Sequence, residues 1–227
     1  MKLKILYIGR KRDIYCLQLF KFLKKQNIKL SVFWTIKGKN NLRKKIFKKN
    51  YDLILCYRSY LILRKNEIEK AKISAINIHP GPPKYRGVGC LNYALYKGEK
   101  KYGITFHLIN EKIDNGKIIF FKEFLINKDK NVERLLLKTH NQCIKYSQML
   151  IPKIIKDTRF IDILVKKFQM ISWSNKIYNK DYLDSFYKIS LNKKIHNEFL
   201  KKINATYYKE FKPYIIINKK KFFLNEE

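Results

Sequence analysis

The stretch INIHPGPPKYRG, residues 76–87, carries the most informative pattern in the sequence. It begins with a short apolar run that predicts a strand, and this strand ends in Asn77-Ile78-His79. Because successive side chains of a strand point to opposite faces, Asn77 and His79 share one side. A rigid Pro/Gly loop follows, which would lose little further entropy on closing around a ligand. If the strand is parallel to its neighbours, both side chains lie at the carboxyl edge, where open α/β sheets bind ligands.

Upstream of this stretch, strand-like and helix-like segments alternate regularly. The predicted strands are 2–8, 28–34, 51–56 and 75–78, and the predicted helices are 13–26, 42–49 and 67–70. In the first helix the expected apolar face is formed by Ile14, Leu17, Phe20 and Leu23. Alternation of this kind is typical of right-handed crossover units and a parallel sheet. The predicted fold class is therefore α/β, with a Rossmann-like, mostly parallel sheet and flanking helices.

Downstream, the crossover rhythm changes and then stops after about residue 160. A helix is predicted over 88–96, strands over 102–108 and 117–126, and a long helix over 132–155. The long helix contains Pro152, a residue that kinks or ends helices. Beyond it we predict a helix over 192–203 and a β-hairpin over 214–224 around Asn218-Lys219. We expect one main domain, residues 1–160, and a small C-terminal helix and hairpin region, residues 161–227.

The composition describes a folded and strongly basic protein. The 227 residues carry a formal net charge of +33, with 51 Lys and Arg against 18 Asp and Glu. Hydrophobic residues make up 46% of the chain, enough for a core, which excludes a disordered basic tail. Since the lysines are spread along the whole chain, the charge indicates either a sequence-wide lysine bias or a dedicated polyanion-binding face.

Cysteine spacing and apolar runs exclude further classes. The chain has four cysteines, Cys16, Cys56, Cys90 and Cys143. No two of them form a CxxC pair, so we predict four buried, reduced thiols in a cytoplasmic protein and no zinc site. The N-terminus is too short for a signal-peptide apolar region, and no run of about 18 apolar residues predicts a membrane span. We therefore expect neither a metal nor a membrane as a partner.

A second motif lies downstream of the Asn77-x-His79 strand. Residues 103–107 are Gly-Ile-Thr-Phe-His, and Asp114 opens an Asp-Asn-Gly turn before the next strand. Alone, that turn is an ordinary hairpin signal. Taken with Asn77-x-His79-Pro80 and the loop closing in Arg86-Gly87, the set resembles the 10-formyltetrahydrofolate-dependent formyltransferases. One departure is that the loop from His79 to Arg86 is one residue shorter than in the commonest members.

The resemblance implies that residues 1–160 are a catalytic domain with Asn77, His79 and Asp114 as its catalytic unit. The residue types fit transfer of a formyl group to an amine. A histidine with an ordinary pKa near 6.5 can accept the amine proton at neutral pH. The Asn77 amide can donate to the developing oxyanion, and Asp114 can orient His79 and stabilise its imidazolium.

The resemblance also implies a folate site, and 10-formyltetrahydrofolate as co-substrate without a metal. In the family, the backbone of one loop and a second loop before the Asp form the walls around the pterin. The corresponding residues here are Tyr60, Leu61, Ile62, Leu63, Asn110 and Ile113. Of the other histidines, His107 is predicted to be structural within its strand, and His140 and His196 to be partly exposed on helices.

Several acceptor amines are compatible with the core motif. Four segments near the C-terminus are similar to the short C-terminal region of nucleotide-sugar N-formyltransferases. They lie around Trp173 and over 182–184, 203–206 and 212–217. That likeness implies a homodimer and a nucleotide-linked 4-amino-4,6-dideoxy sugar, most often the dTDP-4-amino-4,6-dideoxyglucose used for lipopolysaccharide O-antigen synthesis. Arg10, Lys84 and Arg86 are our candidates for the pyrophosphate, and Tyr85 for stacking on a base or sugar or for packing the loop.

Three alternatives stay open at this point. Methionyl-tRNA formyltransferase would suit the +33 charge, although that family carries a substantial C-terminal domain and nucleic acid is not our expected partner. Glycinamide ribonucleotide formyltransferase fits the length, but this chain has Gly9-Arg10-Lys11-Arg12 in place of a Gly/Ser/Asn-rich phosphate loop. A non-catalytic polyanion-binding protein with the same fold would not need Asn77, His79 and Asp114 together.

Overall fold

The computed structural model describes residues 2–39, 42–126, 131–189, 196–208 and 211–224. The strands are β1 Lys4–Arg10, β2 Lys29–Thr35, β3 Tyr51–Tyr57, β4 Ala71–His79, β5 Arg86–Gly87, β6 Lys101–Leu108, β7 Ile118–Leu125, β8 Ile177–Tyr178, β9 Lys188–Ile189, β10 Tyr214–Ile217 and β11 Lys220–Phe223. The helices are α1 Ile14–Lys24, α2 Arg43–Ile46, α3 Lys65–Ile68, α4 Cys90–Tyr96, α5 Val132–Lys156, α6 Phe160–Phe168, α7 Lys180–Tyr187 and α8 His196–Thr206.

A six-stranded sheet with the order β2-β1-β3-β4-β6-β7 forms the centre of the fold. The first four strands are parallel, and β6 and β7 are each antiparallel to the preceding strand in the sheet. The predicted α/β fold with a mostly parallel sheet is therefore confirmed. The chain runs from β1 outward to β2 and then returns to β3 on the other side of β1. The carboxyl ends of β1 and β3 consequently flank a topological switch point, the usual ligand-binding crevice of such sheets.

Helix α1 begins where predicted but buries a different face. The Asp13 carboxylate caps it by accepting hydrogen bonds from the backbone N–H groups of Tyr15 and Cys16. Cys16, with Leu19 and Leu23, faces the sheet, and the Tyr7 hydroxyl donates to the Cys16 carbonyl. Ile14 and Leu17, which we expected on the apolar face, are 72% and 39% exposed. The prediction was wrong for these two residues, whereas Leu23 is buried as expected and Phe20 packs against the same core cluster.

Helix α5 is the longest element and closes the same side of the sheet. It runs without interruption from Val132 to Lys156, so Pro152 does not end it. Its buried stripe includes Leu135, Cys143 and Leu150, which belong to two hydrophobic clusters of the core. The four cysteines are buried free thiols, as predicted.

The C-terminal part of the chain packs against the sheet and helices formed by the preceding residues. Helix α6 lies against β7, and α8 lies against α4, where the Asn92 side chain donates to the Ala205 carbonyl. Strand β8 pairs with β5, and β10 and β11 form the predicted hairpin, with β9 as third strand. Its turn residues, Asn218 and Lys219, have the positive φ values of a tight hairpin turn. The start of the predicted helix over 192–203 lies outside the described residues, and α8 begins at His196.

Candidate active site

The fold brings Asn77, His79 and Asp114 together at one edge of the sheet. Asn77 and His79 end β4, and Asp114 lies in the loop between β6 and β7. His79 Nδ1 is 3.4 Å from Asp114 Oδ2, and Asn77 Nδ2 is 3.4 Å from Asp114 Oδ1. The three side chains that the sequence pattern selected are thus in mutual contact, with the carboxylate between the amide and the imidazole.

Asp114 is held in place by the backbone around it. Its φ of 40° is the left-handed conformation that Asp tolerates better than most residues. The Gly87 N–H donates to its Oδ2 over 2.9 Å. In the same turn Gly116 has no alternative, because an added Cβ would overlap the Leu108 carbonyl. Burial would raise the pKa of Asp114, but the nearby imidazoles of His79 and His107 and the Gly87 N–H hold it below its usual value.

His79 is buried in a defined tautomer. Its Nε2 lies 2.8 Å from the Tyr85 carbonyl, which can only accept, so Nε2 carries the hydrogen and Nδ1 faces Asp114. Gly81 makes room for the ring, since a Cβ there would lie 2.6 Å from Nε2. Burial lowers the pKa of His79. The Asp114 carboxylate and the Tyr85 carbonyl raise this pKa, and His107 lowers it, so that it lies below its usual value. A lowered pKa favours the neutral imidazole, in which Nδ1 carries no proton.

His107 belongs to this site, which sequence reasoning missed. The antiparallel register of β4 and β6 sets it opposite Asn77, and the two side chains are 3.1 Å apart. His107 Nδ1 donates to the Leu108 carbonyl, so its Nε2 accepts from Asn77 Nδ2 and lies 3.4 Å from Asp114 Oδ1. The sequence predicts only a structural role for His107 within its strand. The alternation in Gly-x-Thr-x-His was the available signal, since Thr105 on the same face bonds the Gly81 carbonyl.

Trp173 is a second residue that the sequence motifs did not place here. Its indole lies edge-on to the rings of His79 and His107, at centroid distances of 5.7 and 5.0 Å. The indole N–H donates to the Gly116 carbonyl over 2.7 Å. Because Trp173 follows α6, far along the chain from both motifs, no local pattern could have assigned it to the site.

Two of the predicted substrate residues are corrected by the structure. Tyr85 is 1% exposed and packs in an aromatic cluster, with its hydroxyl donating to Glu99. Arg86 is 5% exposed, and its guanidinium donates to the carbonyls of Ser174 and Ile113. Of the two roles predicted for Tyr85, the structure therefore agrees with packing the loop and not with stacking on substrate. Pyrophosphate binding by Arg86 is contradicted, because its guanidinium is buried and bonded to backbone. Lys84 stays exposed and pairs with Glu99.

Arg10 and Arg58 place positive charge at the switch point. Arg10 ends β1, and its guanidinium lies 4.2 Å above the Tyr60 ring. Its Nε is buried and has no partner among the described residues. Arg58 follows β3 with a φ of 51° and pairs through Nε with Asp13 at 2.8 Å. Burial and then the neighbouring Arg58 charge lower the pKa of Arg10, while Tyr60 and Asp13 act in the opposite direction.

His140, which we predicted to be partly exposed, is buried and contacts Arg58. It is 3% exposed on α5, and its Nδ1 lies 2.6 Å from the Tyr57 hydroxyl. Its Nε2 accepts from the Arg58 guanidinium. Burial, then the charges of Arg58 and Arg10, lower the pKa of His140 well below its usual value. The prediction of exposure was wrong because the helix turns this residue toward β3.

The two predicted folate loops meet at one apolar cluster. Leu63 is buried there, and Leu61 and Ile109 pack against it, whereas Tyr60 is 45% and Ile62 61% exposed. Three backbone groups of the first loop are already engaged, since the N–H groups of Tyr60 and Leu61 bond hydroxyls and Arg43 bonds the Ile62 carbonyl. The N–H groups of Tyr60 and Leu61 thus have partners within the protein, while the Ile62 carbonyl can accept a second hydrogen bond. Asn110 is exposed, and Ile113 is 41% exposed.

The described residues hold no group of three His, Cys, Asp or Glu side chains placed to bind a metal ion. Among the same residues, no helix combines the length and the apolar character that crossing a membrane requires.

Comparison with known proteins agrees with this geometry. Residues 21–150, more than half of the chain, match the formyl transferase domain. The chain belongs to the formyl transferase family. The methionyl-tRNA formyltransferase of Thermodesulfovibrio yellowstonii is 37% identical over 97 residues, which are 42% of this chain and 32% of that protein. The aligned region thus spans about a third of the curated formyl transferases that the chain matches first.

Solved formyl transferases share the fold over nearly the whole chain. A sugar N-formyltransferase from a Shewanella species superposes with a TM-score of 0.76 at 17% identity, covering 99% of this chain and 97% of that one. An N-formyltransferase from Helicobacter canadensis, solved with folinic acid and dTDP-3-aminofucose, gives a TM-score of 0.68 at 20% identity, covering 96% and 86%. At these identities the likeness concerns the fold.

Proposed function

We propose that this formyl transferase family member moves a formyl group from 10-formyltetrahydrofolate to the amine of a nucleotide-linked amino-dideoxy sugar. The observation that carries the proposal is the buried contact of His79 Nδ1 with Asp114 Oδ2, with Asn77 on the other carboxylate oxygen. A neutral imidazole beside an ionised carboxylate is suited to accept a proton and to hold the resulting charge.

In the proposed reaction, His79 Nδ1 takes a proton from the attacking amine while Asp114 stabilises the imidazolium. The new bond joins the amine nitrogen to the formyl carbon, and the bond from that carbon to the folate nitrogen breaks. The proton held by His79 passes to the leaving nitrogen. Asn77 Nδ2 donates to His107 Nε2 over 3.1 Å and to Asp114 Oδ1 over 3.4 Å. The longer of these two bonds is the one that a bond from Asn77 to the developing oxyanion would replace.

The donor site in this proposal lies between the two loops that meet at Leu61, Leu63 and Ile109. Tyr60–Leu63 would supply backbone contacts to the pterin, and Asn110 and Ile113 the opposite wall. The exposed side chains of Ile62 and Ile113 fit this role, because they offer apolar surface that a flat ring would cover. Folate would supply the activated one-carbon unit, and no metal is needed for the step.

The acceptor is proposed from fold coverage and from charge. Likeness to sugar N-formyltransferases extends over nearly the whole of both chains, whereas alignment with methionyl-tRNA formyltransferases covers about a third of their length. Arg10, Arg58 and exposed Lys84 would bind the diphosphate, because the third candidate, Arg86, is buried and donates to two backbone carbonyls. We favour dTDP-4-amino-4,6-dideoxyglucose, used for O-antigen polysaccharide, formylated in the cytoplasm by a homodimer that pairs through residues 161–227.

The test is a direct assay of product. Purified protein is mixed with 10-formyltetrahydrofolate and dTDP-4-amino-4,6-dideoxyglucose, and the formamide is sought by mass spectrometry. The expected result is a product heavier by one formyl group that does not form with the His79→Asn variant. Absence of that product with every amino-sugar nucleotide tested, while folate still binds, would overturn the acceptor assignment but leave the donor.

Methionyl-tRNA is the second candidate acceptor, favoured by the 37% identity to a methionyl-tRNA formyltransferase and by the +33 charge. Neutralising several phosphates makes binding to RNA steeply salt-dependent, whereas a nucleotide diphosphate engages few cations. Competition between the two acceptors at increasing salt therefore distinguishes them. Formylated methionyl-tRNA as the preferred product would establish the second candidate.

A further inference from the structure

A segment from outside the family's matched region completes the wall of the candidate active site. Residues 169–178, here termed the return segment, lead from the end of α6 back to the loop that follows β4. Within it, Trp173 places its indole against both His79 and His107. The matched family domain ends at residue 150, so this wall comes from the C-terminal part of the chain.

The return segment is tied to the site by hydrogen bonds on both sides of Trp173. The indole N–H bonds the Gly116 carbonyl, two residues after Asp114. The Ser174 N–H bonds the Pro83 carbonyl, and β8 pairs with Arg86-Gly87, the residues that contact Asp114 and Ile113. An aromatic ring anchored at the Asp114 turn and at the His79 loop cannot shift without moving one of them.

The Arg86 guanidinium links the return segment to the loop that contains Asp114. One terminal nitrogen donates to Ser174 in the return segment and the other to Ile113, next to Asp114. A buried guanidinium that joins two backbone carbonyls fixes their separation, since its donors form a planar and rigid fork. The side chain that we first assigned to substrate instead connects the return segment with the Asp114 loop.

We propose that Trp173 is a positioning residue for the proposed formyl transfer, holding the imidazoles of His79 and His107 against Asp114 from the return segment. This inference rests on the proposed function for its kinetic consequence, but its structural consequence does not. Misplacing a catalytic group by about an ångström can cost up to about 100-fold in rate. The small C-terminal region would then be part of the active site as well as an appendage to it.

The experiment compares Trp173→Ala, Trp173→Phe and Trp34→Phe in the full chain. Trp34, the only other tryptophan in the sequence, serves as a matched control because its ring packs on Tyr7 and Phe20 and not on the two histidines. The readouts are kcat, KM for both substrates, and NMR titration of the His79 imidazole without substrate. Groups facing His79 are Asp114, His107, the Tyr85 carbonyl and the Trp173 ring.

With Trp173→Ala we expect kcat to fall by about tenfold or more with KM nearly unchanged. The pKa of His79 should rise, because water reaches a ring whose burial lowers its pKa. Trp173→Phe keeps the ring and should retain most of the turnover, and Trp34→Phe should behave as wild type. Unchanged titration and kcat in Trp173→Ala would overturn the proposal.

A measurement on the unaltered protein covers the case in which Trp173→Ala does not fold. The Trp173 indole N–H resonance, assigned with Trp34→Phe, should shift in step with protonation of His79 and lose this dependence in His79→Asn. An indole signal indifferent to His79 would overturn the positioning role. Because no substrate is present, this outcome is independent of whether the proposed formyl transfer is correct.

Discussion

Two buried histidines stand at the same edge of the sheet in opposite electrostatic surroundings. His79 faces the carboxylate of Asp114, and His140 faces the guanidinium of Arg58. Both have a lowered pKa because both are buried. The sign of the neighbour separates them, since Asp114 favours protonation of His79 whereas Arg58 opposes protonation of His140. A buried histidine becomes a candidate base only where its conjugate acid has a compensating charge.

The tautomers add to this contrast. His79 gives its Nε2–H to a backbone carbonyl and keeps Nδ1 without a proton, next to the carboxylate. His140 accepts from Arg58 at Nε2, so its Nδ1–H donates to the Tyr57 hydroxyl. Both nitrogens of His140 are therefore committed to the protein. His140 orients Arg58 at the switch point, and only His79 retains a site for a proton.

Replacing each histidine by asparagine should have the largest effects and should separate the roles of His79 and His140. His79→Asn should lower turnover by about 100-fold or more with the fold intact, because the proton acceptor is lost. His140→Asn should instead lower the free energy of unfolding by about 1–3 kcal/mol, since it unpairs buried Arg58 and Tyr57 groups. Turnover assays and urea unfolding of both variants provide the measurement. Equal losses of turnover would remove the distinction between the two histidines.

A second prediction sharpens the electrostatic contrast. Asp114→Asn removes the charge that raises the pKa of His79, so that pKa should fall further, with turnover reduced by about 10–100-fold. Arg58→Gln removes a cation that lowers the pKa of His140, so that pKa should rise toward about 6.5. The four histidines make NMR titration of the ring protons practicable over about pH 5 to 8. Shifts of the same sign in the two variants would contradict our account.

The difference between what the sequence predicted and what it missed follows the range of the interactions. Strand alternation puts Asn77 and His79 on one side and a turn signal puts Asp114 between two strands, but only the family resemblance joined the three into one site. The approach of His107 depends on the antiparallel register of β4 with β6, and that of Trp173 on the path of the chain after α6. Alternation in Gly-x-Thr-x-His was a signal for the side of the strand on which His107 lies, whereas no local spacing pointed to Trp173.

The errors have equally physical causes. The spacing in α1 allowed two apolar stripes, and close packing of Cys16 on the sheet selected the one that leaves Ile14 exposed. Charge alone suggested pyrophosphate binding for Arg86, but the guanidinium is taken up by the carbonyls of Ser174 and Ile113. Inside a loop, side-chain direction depends on the packing of distant segments, and composition does not reveal it.

The smallest effect is expected when the Tyr85 side chain is changed, because only the backbone carbonyl of Tyr85 contacts His79. The Tyr85 carbonyl holds His79 Nε2, while the buried Tyr85 hydroxyl bonds Glu99. Tyr85→Phe should therefore lower the free energy of unfolding by only about 0.5–1.5 kcal/mol and leave kcat and both KM values unchanged. Tyr57→Phe is the matched change at His140, where the hydroxyl itself is the histidine's partner, and it should be the more destabilising of the two. A raised KM for the nucleotide sugar in Tyr85→Phe would contradict this account, since it would mean that the hydroxyl contacts substrate as well as Glu99. An unchanged KM would mean that His79 needs only the backbone at this position, whereas His140 depends on a side chain.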